Sequence, residues 1–78
     1  MSDDSMSDFI RERNEALLSL DRNKIEAYLK KYKESIPKNE NVFWAAIHKA
    51  RLAVTDFSED VKEVSREWLT EHGFKPEF

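Results

Sequence analysis

The chain contains two histidines and no cysteine, so any metal site would depend on the imidazoles of His48 and His72. The two residues are far apart in the sequence, and they match no spacing typical of a metal site. Both rings would have to meet in space and recruit carboxylates. We therefore expect no metal and no cofactor. His72, in the last turn of a helix, is expected to interact with the negative end of the helix dipole.

Nucleophilic catalysis requires a hydroxyl or a thiol, a base and a third group that orients the base. Ser58 is expected to cap a helix and Ser65 lies on an inward helical face, so neither suggests this arrangement. The sequence has no glycine-rich elbow and no phosphate-binding loop. Acidic residues such as Glu63 and Glu67 fall on a solvated face of a helix, where a carboxylate is not a typical general acid. We therefore expect that the protein is not an enzyme.

A basic segment between Arg22 and Lys33 suggests nucleic-acid binding. It begins with Arg-Asn-Lys directly after a tight corner, and Arg and Asn are the usual readers of guanine and adenine at the start of a recognition helix. Its lysines spread around the helix instead of forming one ridge, and the acidic ends of the chain lower its attraction to phosphate. Both features favour an ordinary solvated helix surface over a nucleic-acid-binding one. We keep nucleic-acid binding as the alternative function, with the candidate residues Arg22, Asn23, Lys24, Lys30 and Lys31.

The segment from Val42 to Val54 would be apolar on two sides of a helix. Such a helix is either packed on both sides or keeps one side for a partner, and Trp and Arg are favoured at interface hot spots. We therefore predict a small protein-interaction or self-association module. In the alternative arrangement this helix is central in the fold and its tryptophan is buried. The predicted partner-binding surface consists of Trp44, His48, Arg51 and Leu52.

The sequence predicts that these candidate residues all lie on helices. It contains one glycine and two prolines, all at places where helices should end, and a small β-rich domain would need more turn glycines. The pattern predicts an all-α fold, a small compact irregular bundle of four helices made of two helical hairpins. The first two helices are expected over residues 8–18 and 22–33. The third begins after Asn39 or Asn41 and ends at Ala53 or Val54, and the fourth lies between Ser58 and Gly73.

Capping residues indicate most of these helix ends. Ser7, Asp21 and Ser58 are expected to accept hydrogen bonds from the first backbone N–H groups of their helices. Pro37 prevents any continuation of the second helix. The single glycine, Gly73, is expected in the left-handed conformation, which would place the following phenylalanine on Leu69 in a Schellman motif.

Length and composition indicate one small domain, assigned to residues 8–78, after a flexible acidic N-terminal extension over residues 1–7. The absence of cysteine is typical of a reducing compartment. No apolar run approaches the roughly 18 to 20 residues that a membrane span requires, and the acidic start is unlike a signal peptide. We expect a cytoplasmic protein that does not bind membranes. A net charge of −3 argues mildly against sequence-independent binding to phosphate backbones.

Helical spacing also predicts which apolar side chains form the core. They occupy inward positions on three helices and are too numerous to remain in water on a short chain. The predicted core residues are Ile25, Leu29, Phe43, Ile47, Ala50, Val54, Val61, Val64 and Trp68.

Two runs, ALLSLDRNKIEAYLKKY and NENVFWAAIHKA, are separated by a proline-containing loop. Together they resemble a group of short bacterial proteins of unknown function, some of them associated with prophages. The resemblance covers roughly residues 16–50 and implies a bacterial, cytoplasmic setting. It implies no catalytic or binding residues.

Overall fold

The regular secondary structure of residues 3–77 is α-helical. A computed structural model describes residues 3–77, with the side chains of residues 7–77. Within these residues there are four helices and no strand, so the prediction of an all-α fold is confirmed. The helices are α1 (Asp3–Ser19), α2 (Arg22–Lys31), α3 (Glu40–Ala53) and α4 (Glu59–Glu71).

The chain divides into two units, and the division falls between Ile36 and Pro37. The first unit contains α1 and α2 in contact with each other, and the second contains α3 and α4 in contact with each other. Both predicted helical hairpins are therefore present. The boundary lies at Pro37, although α2 has already ended at Lys31. The assignment of residues 8–78 to one domain stays a prediction.

Helix α1 begins earlier than predicted. Residues from Asp3 onwards are helical, so Ser7 lies inside the helix and is not its N-cap, and the expected flexible extension is helical over residues 3–7. Met1 and Ser2 lie outside the described residues. Residues 3–7 contain no glycine or proline, so none of them interrupts a helix.

The corner between α1 and α2 is formed by Ser19, Leu20 and Asp21. Leu20 takes a positive φ of 51°, which turns the chain sharply at the cost of an unfavourable backbone conformation. The Asp21 carboxylate accepts hydrogen bonds from the backbone N–H groups of Asn23 (2.9 Å) and Lys24 (3.3 Å). The predicted cap at Asp21 is therefore confirmed.

Helix α2 ends before Lys33, which was its predicted last residue. Lys33 instead adopts a positive φ of 58°. Its backbone N–H donates to the Lys30 carbonyl (3.2 Å), and the Glu34 N–H donates to the Leu29 carbonyl (2.8 Å). This is the hydrogen-bond pattern of a Schellman motif, with a lysine at the position that usually holds glycine.

Both helices of the second unit have the polar N-cap residues that the sequence predicts. Of the two candidate caps for α3, the structure uses Asn39, whose side chain accepts from the Val42 N–H at 3.1 Å. Ser58 caps α4 by accepting from the Val61 N–H at 3.3 Å. One of the first backbone N–H groups of each helix thus has a side-chain partner, which stabilises the helix start.

Helix α4 stops where the single glycine was expected to stop it. Gly73 has a φ of 80°, and the Phe74 N–H donates to the Leu69 carbonyl at 2.8 Å. Phe74 packs, together with Trp68, against a buried cluster that contains Leu69. The predicted Schellman motif is therefore confirmed.

The core predictions are confirmed in part. Ile25, Phe43, Ile47 and Val54 are buried, whereas Leu29, Ala50, Val61 and Trp68 are half-buried. Val64 is wrong as a core residue, since 48% of it is exposed. The buried side of α4 is centred on Ser65 and Leu69, and Val64 lies on its flank. Further buried apolar residues are Ala16, Leu17, Ala45, Leu52, Phe57 and Leu69.

Candidate functional site

The predicted partner-binding side of α3 is buried inside the second unit. His48 and Arg51 are each 3% exposed, Leu52 is 6% exposed, and Trp44 is half-buried. Leu52 packs in one cluster with Leu69 of α4. These residues therefore do not form an exposed contact surface, and that interpretation of α3 is wrong. The helix is buried over one broad side that includes these residues together with Phe43 and Ile47, whereas Val42 and Ala46 are exposed.

The polar groups on this side of α3 find partners on α4. Nδ1 of His48 lies 3.0 Å from Oγ of Ser65, and Nη2 of Arg51 donates to the backbone carbonyl of Val61 at 3.2 Å. Burial lowers the pKa of the Arg51 guanidinium from its usual value. Hydrogen bonds to buried polar groups offset part of the cost of removing them from water.

A row of stacked rings crosses from α3 to the end of α4. The imidazole of His48 lies 4.7 Å from the indole of Trp68, with an angle of 20° between the ring planes. The ring of His72 lies 3.9 Å from the same indole at 11°, and Nδ1 of His72 donates to the Trp68 carbonyl at 2.8 Å. Trp44 continues the row at 6.4 Å from His48. These contacts join the two helices of the second unit, as is typical of aromatic pairs in cores.

His48 is held in its neutral form. Its pKa is lowered to about 4, mainly by burial, and the nearby Arg51 and His72 contribute in the same direction. A serine hydroxyl beside a neutral imidazole is the pairing that nucleophilic catalysis uses. Ser65, however, has an exposure of 0%, so no substrate can reach its oxygen. The pair is therefore a structural hydrogen bond.

Two of the basic residues proposed for nucleic-acid binding are bonded to carboxylates of the first unit. Nε of Arg22 lies 2.6 Å from the carboxylate of Glu26, and Nζ of Lys31 lies 2.6 Å from that of Glu12. The hydrogen bond from Lys31 lowers the pKa of the Glu12 carboxyl, with a second contribution from the hydroxyl of Tyr32. The other proposed residues, which are Asn23, Lys24 and Lys30, are exposed.

The first unit contains an open groove of about 650 Å³ between α1 and α2. We call it the α1–α2 groove. Its inner surface is formed by small side chains and one aromatic ring, which belong to Ala16, Ser19, Ala27 and Tyr28. Small residues at facing helical positions leave space between two helices that larger residues would fill.

The two walls of the α1–α2 groove differ in charge. The α1 wall contains Glu12, Glu15 and the exposed Leu18, and the α2 wall contains Lys24 and Lys31. Leu18 is 47% exposed, so about half of this side chain remains in contact with water at the groove. This groove was not predicted from the sequence. The available signal was Leu18, an apolar residue outside the predicted core.

Acidic and histidine side chains elsewhere do not assemble a metal site. Among the described residues, no group of three or more His, Asp or Glu side chains could hold a metal ion. The carboxylates of Glu59 and Glu63 instead bind Arg66, at 3.2 Å and 2.9 Å. In the same part of the chain, no helix has the length and apolar character needed to cross a membrane.

No protein-family model, no curated protein and no solved structure matches the chain.

Proposed function

We propose that this protein is a helical interaction module that binds a protein segment in the α1–α2 groove. The observation that carries the proposal is an open groove with small inner residues and an exposed leucine, Leu18, at its edge. Helices of partner proteins commonly bind in grooves between two helices, with apolar side chains inserted between the walls. The proposed contact surface thus belongs to the first unit and replaces the predicted surface on α3.

Burial of Leu18 against a partner would supply part of the binding free energy. Transfer of a leucine side chain from water to an apolar contact is worth roughly 1.5 to 3 kcal/mol, and Leu18 is only half covered in the free chain. Ala27 is exposed on the opposite helix and leaves room for a partner side chain. Tyr28 adds a half-buried ring, of a type enriched at interfaces.

We propose a binding role in preference to catalysis. The pair formed by Ser65 and His48 is buried, and the carboxylates of Glu12, Glu59 and Glu63 bind cationic side chains. These positions support a structural use of the groups that catalysis would need. In keeping with the resemblance to short bacterial proteins, we also propose a bacterial, cytoplasmic setting with no metal, cofactor or membrane partner.

Nucleic-acid binding through α2 is the weaker alternative. Arg22 and Lys31 would have to leave Glu26 and Glu12 before they could contact phosphates or bases. The exposed residues that remain on α2 from the proposed set are Asn23, Lys24 and Lys30. Phosphate contacts supply most of the affinity of nucleic-acid-binding proteins, so two engaged cations weaken this function.

Site-specific photocrosslinking tests the proposed function. A benzophenone amino acid at position 27 would lie in the α1–α2 groove, and the same residue at position 46, an exposed alanine of α3, is the matched control. After irradiation in the native host, we expect discrete protein adducts from position 27 and none from position 46. Equal labelling from both positions, or no adduct from position 27, would contradict a binding role for the groove.

A further inference from the structure

We propose that the second unit is an acid-sensitive switch, in which proton uptake by His48 opens the α3–α4 hairpin in mild acid while the α1–α2 hairpin stays folded. This inference goes beyond the proposed function and does not depend on what binds in the α1–α2 groove. Two observations support it. One buried histidine is surrounded by groups that cannot neutralise its charge, and the first unit contains no histidine.

His48 is enclosed between α3 and α4. It is 3% exposed, its Nδ1 lies 3.0 Å from Oγ of Ser65, and its ring stacks on the indole of Trp68 at 4.7 Å. Ser65 on the facing helix is itself completely buried. A positive charge that forms on an imidazole in this position loses most of its hydration unless the two helices separate.

The groups around His48 do not compensate a positive charge. The charged or titratable side chains that act on it are Arg51 of its own helix and His72 of α4, and no carboxylate of the described residues is among them. Contact with the indole of Trp68 favours an imidazolium, whereas burial, Arg51 and His72 oppose it. The opposing effects are stronger, so the pKa of His48 is lowered to about 4.

The proton therefore binds more readily to the open hairpin. There the imidazole is hydrated and has its usual pKa of 6.5, so it takes up a proton at a pH where the closed hairpin keeps it neutral. Between pH 7 and 5 this difference raises the ratio of open to closed hairpin about 20-fold. Opening would uncover the apolar side of α3, including Leu52, in mild acid and cover it again near neutrality.

The first unit lacks a group of this kind, because both histidines of the chain belong to the second unit. The Glu12 carboxylate accepts hydrogen bonds from Lys31 at 2.6 Å and from the hydroxyl of Tyr32, and these bonds lower the pKa of Glu12 below its usual 4.5. Their contribution is complete above about pH 4.5 and is lost only at lower pH. The α1–α2 hairpin should therefore remain folded at pH 5.

Separate opening of one hairpin is consistent with the division of the chain. Cooperative unfolding units in proteins often coincide with supersecondary motifs, of which a helical hairpin is one. Here α1 packs on α2 and α3 packs on α4, on either side of the boundary before Pro37. A proton bound in the second unit can thus favour opening of that unit alone.

Hydrogen exchange of the full-length chain, followed by mass spectrometry of its peptides, tests the proposal. After correction for the pH dependence of intrinsic exchange, we expect the protection of α3 and α4 amides to fall about 20-fold between pH 7 and 5. Protection in α1 and α2 should change by less than about threefold, since no histidine acts there. An equal fall in both hairpins, or no fall in α3 and α4, would overturn the proposal.

Two matched variants identify the group that takes up the proton. His48→Gln keeps a neutral polar side chain beside Ser65 and cannot be protonated, so the protection of its α3–α4 amides should not change between pH 7 and 5. His72→Gln alters the exposed histidine and should retain most of the fall. A fall in His48→Gln as large as that of the unaltered chain would assign the response to other groups and overturn the proposal.

An NMR titration of the imidazole signals needs no variant and applies even if His48→Gln fails to fold. In the unaltered chain, the His48 signal of the closed hairpin should remain that of a neutral ring down to about pH 5. If His48 instead titrates near pH 6.5 while the α3–α4 amides stay protected, its protonation does not favour opening and the proposal is wrong.

Discussion

Nδ1 of His48 lies 3.0 Å from Oγ of Ser65, and both side chains are buried between α3 and α4. The same imidazole stacks on the indole of Trp68 at 4.7 Å. One neutral histidine thus joins the two helices of the second unit by a hydrogen bond and a ring contact. Its protonation would place an uncompensated charge in a site that already contains the Arg51 guanidinium.

The stability of the second unit should therefore decrease in mild acid. The pKa of His48 is about 4 in the folded chain, below the usual value of 6.5, so the unfolded chain binds the proton first as the pH falls. The stabilisation is complete above about pH 6.5 and is lost between pH 6.5 and 4, to a total of about 3 kcal/mol. Urea unfolding at a series of pH values measures this loss.

Carboxylates titrate in the same range, so the comparison of variants decides the origin of the effect. His48→Gln should flatten the pH dependence between pH 6.5 and 4, and His72→Gln, at an exposed position, should retain it. Identical pH profiles for His48→Gln and the unaltered chain would show that His48 is not the group responsible.

Removal of the Ser65 hydroxyl should destabilise the same unit. Ser65→Ala leaves Nδ1 of His48 without its buried partner, and an unsatisfied buried polar group costs about 1 to 3 kcal/mol. Thr70→Ala removes a hydroxyl from the exposed side of the same helix and should change the free energy of unfolding by no more than about 0.5 kcal/mol. Chemical denaturation of both variants tests the difference. Equal effects would mean that the His48 hydrogen bond contributes little.

Lys33→Gly should stabilise the first unit. Lys33 has a φ of 58°, a conformation that glycine adopts without the steric cost of a Cβ atom. We expect a gain of about 0.5 to 1 kcal/mol, after allowing for the greater freedom of glycine in the unfolded chain. Ala27→Gly, in the middle of α2, should have the opposite sign and cost about 1 kcal/mol. If both substitutions lower the melting temperature, the positive φ of Lys33 does not destabilise the first unit.

We expect that the protein does not bind nucleic acid. Arg22 and Lys31 bind carboxylates, and the net charge is −3, so the attraction of the chain to phosphates is weak. Titration of labelled DNA and RNA at about 50 mM salt, where electrostatic binding is strong, should give no change in fluorescence anisotropy. Binding that is lost in the Lys24→Glu variant and is insensitive to Ala46→Arg would instead revive the alternative function of α2.

Local sequence signals predicted the helix ends correctly where one residue type determines the backbone conformation. Asp21 and Ser58 accept hydrogen bonds from neighbouring N–H groups, and Gly73 has the positive φ that favours glycine. These interactions involve residues within a few positions of one another, so they can be inferred without knowledge of the tertiary structure. The all-α class follows from the same signals together with helical periodicity.

The same local reasoning was wrong where no such residue marks the boundary. Asp3 to Ser7 are helical although their composition suggested an extension, and Lys33 takes a left-handed conformation that lysine rarely adopts. A helix end at a non-glycine residue depends on the balance between backbone strain and the contacts of the following segment. That balance involves interactions that the local pattern does not contain.

The sequence by itself determined that α3 is apolar on two sides, but only the tertiary structure decided what those sides contact. Periodicity gives the direction of a side chain around its own helix and does not specify which neighbour covers it. Contacts with Ser65, Val61 and Leu69 of α4 therefore bury the side of α3 that was predicted to be exposed. The α1–α2 groove could not be predicted either, because a space between two helices exists only after they have packed against each other.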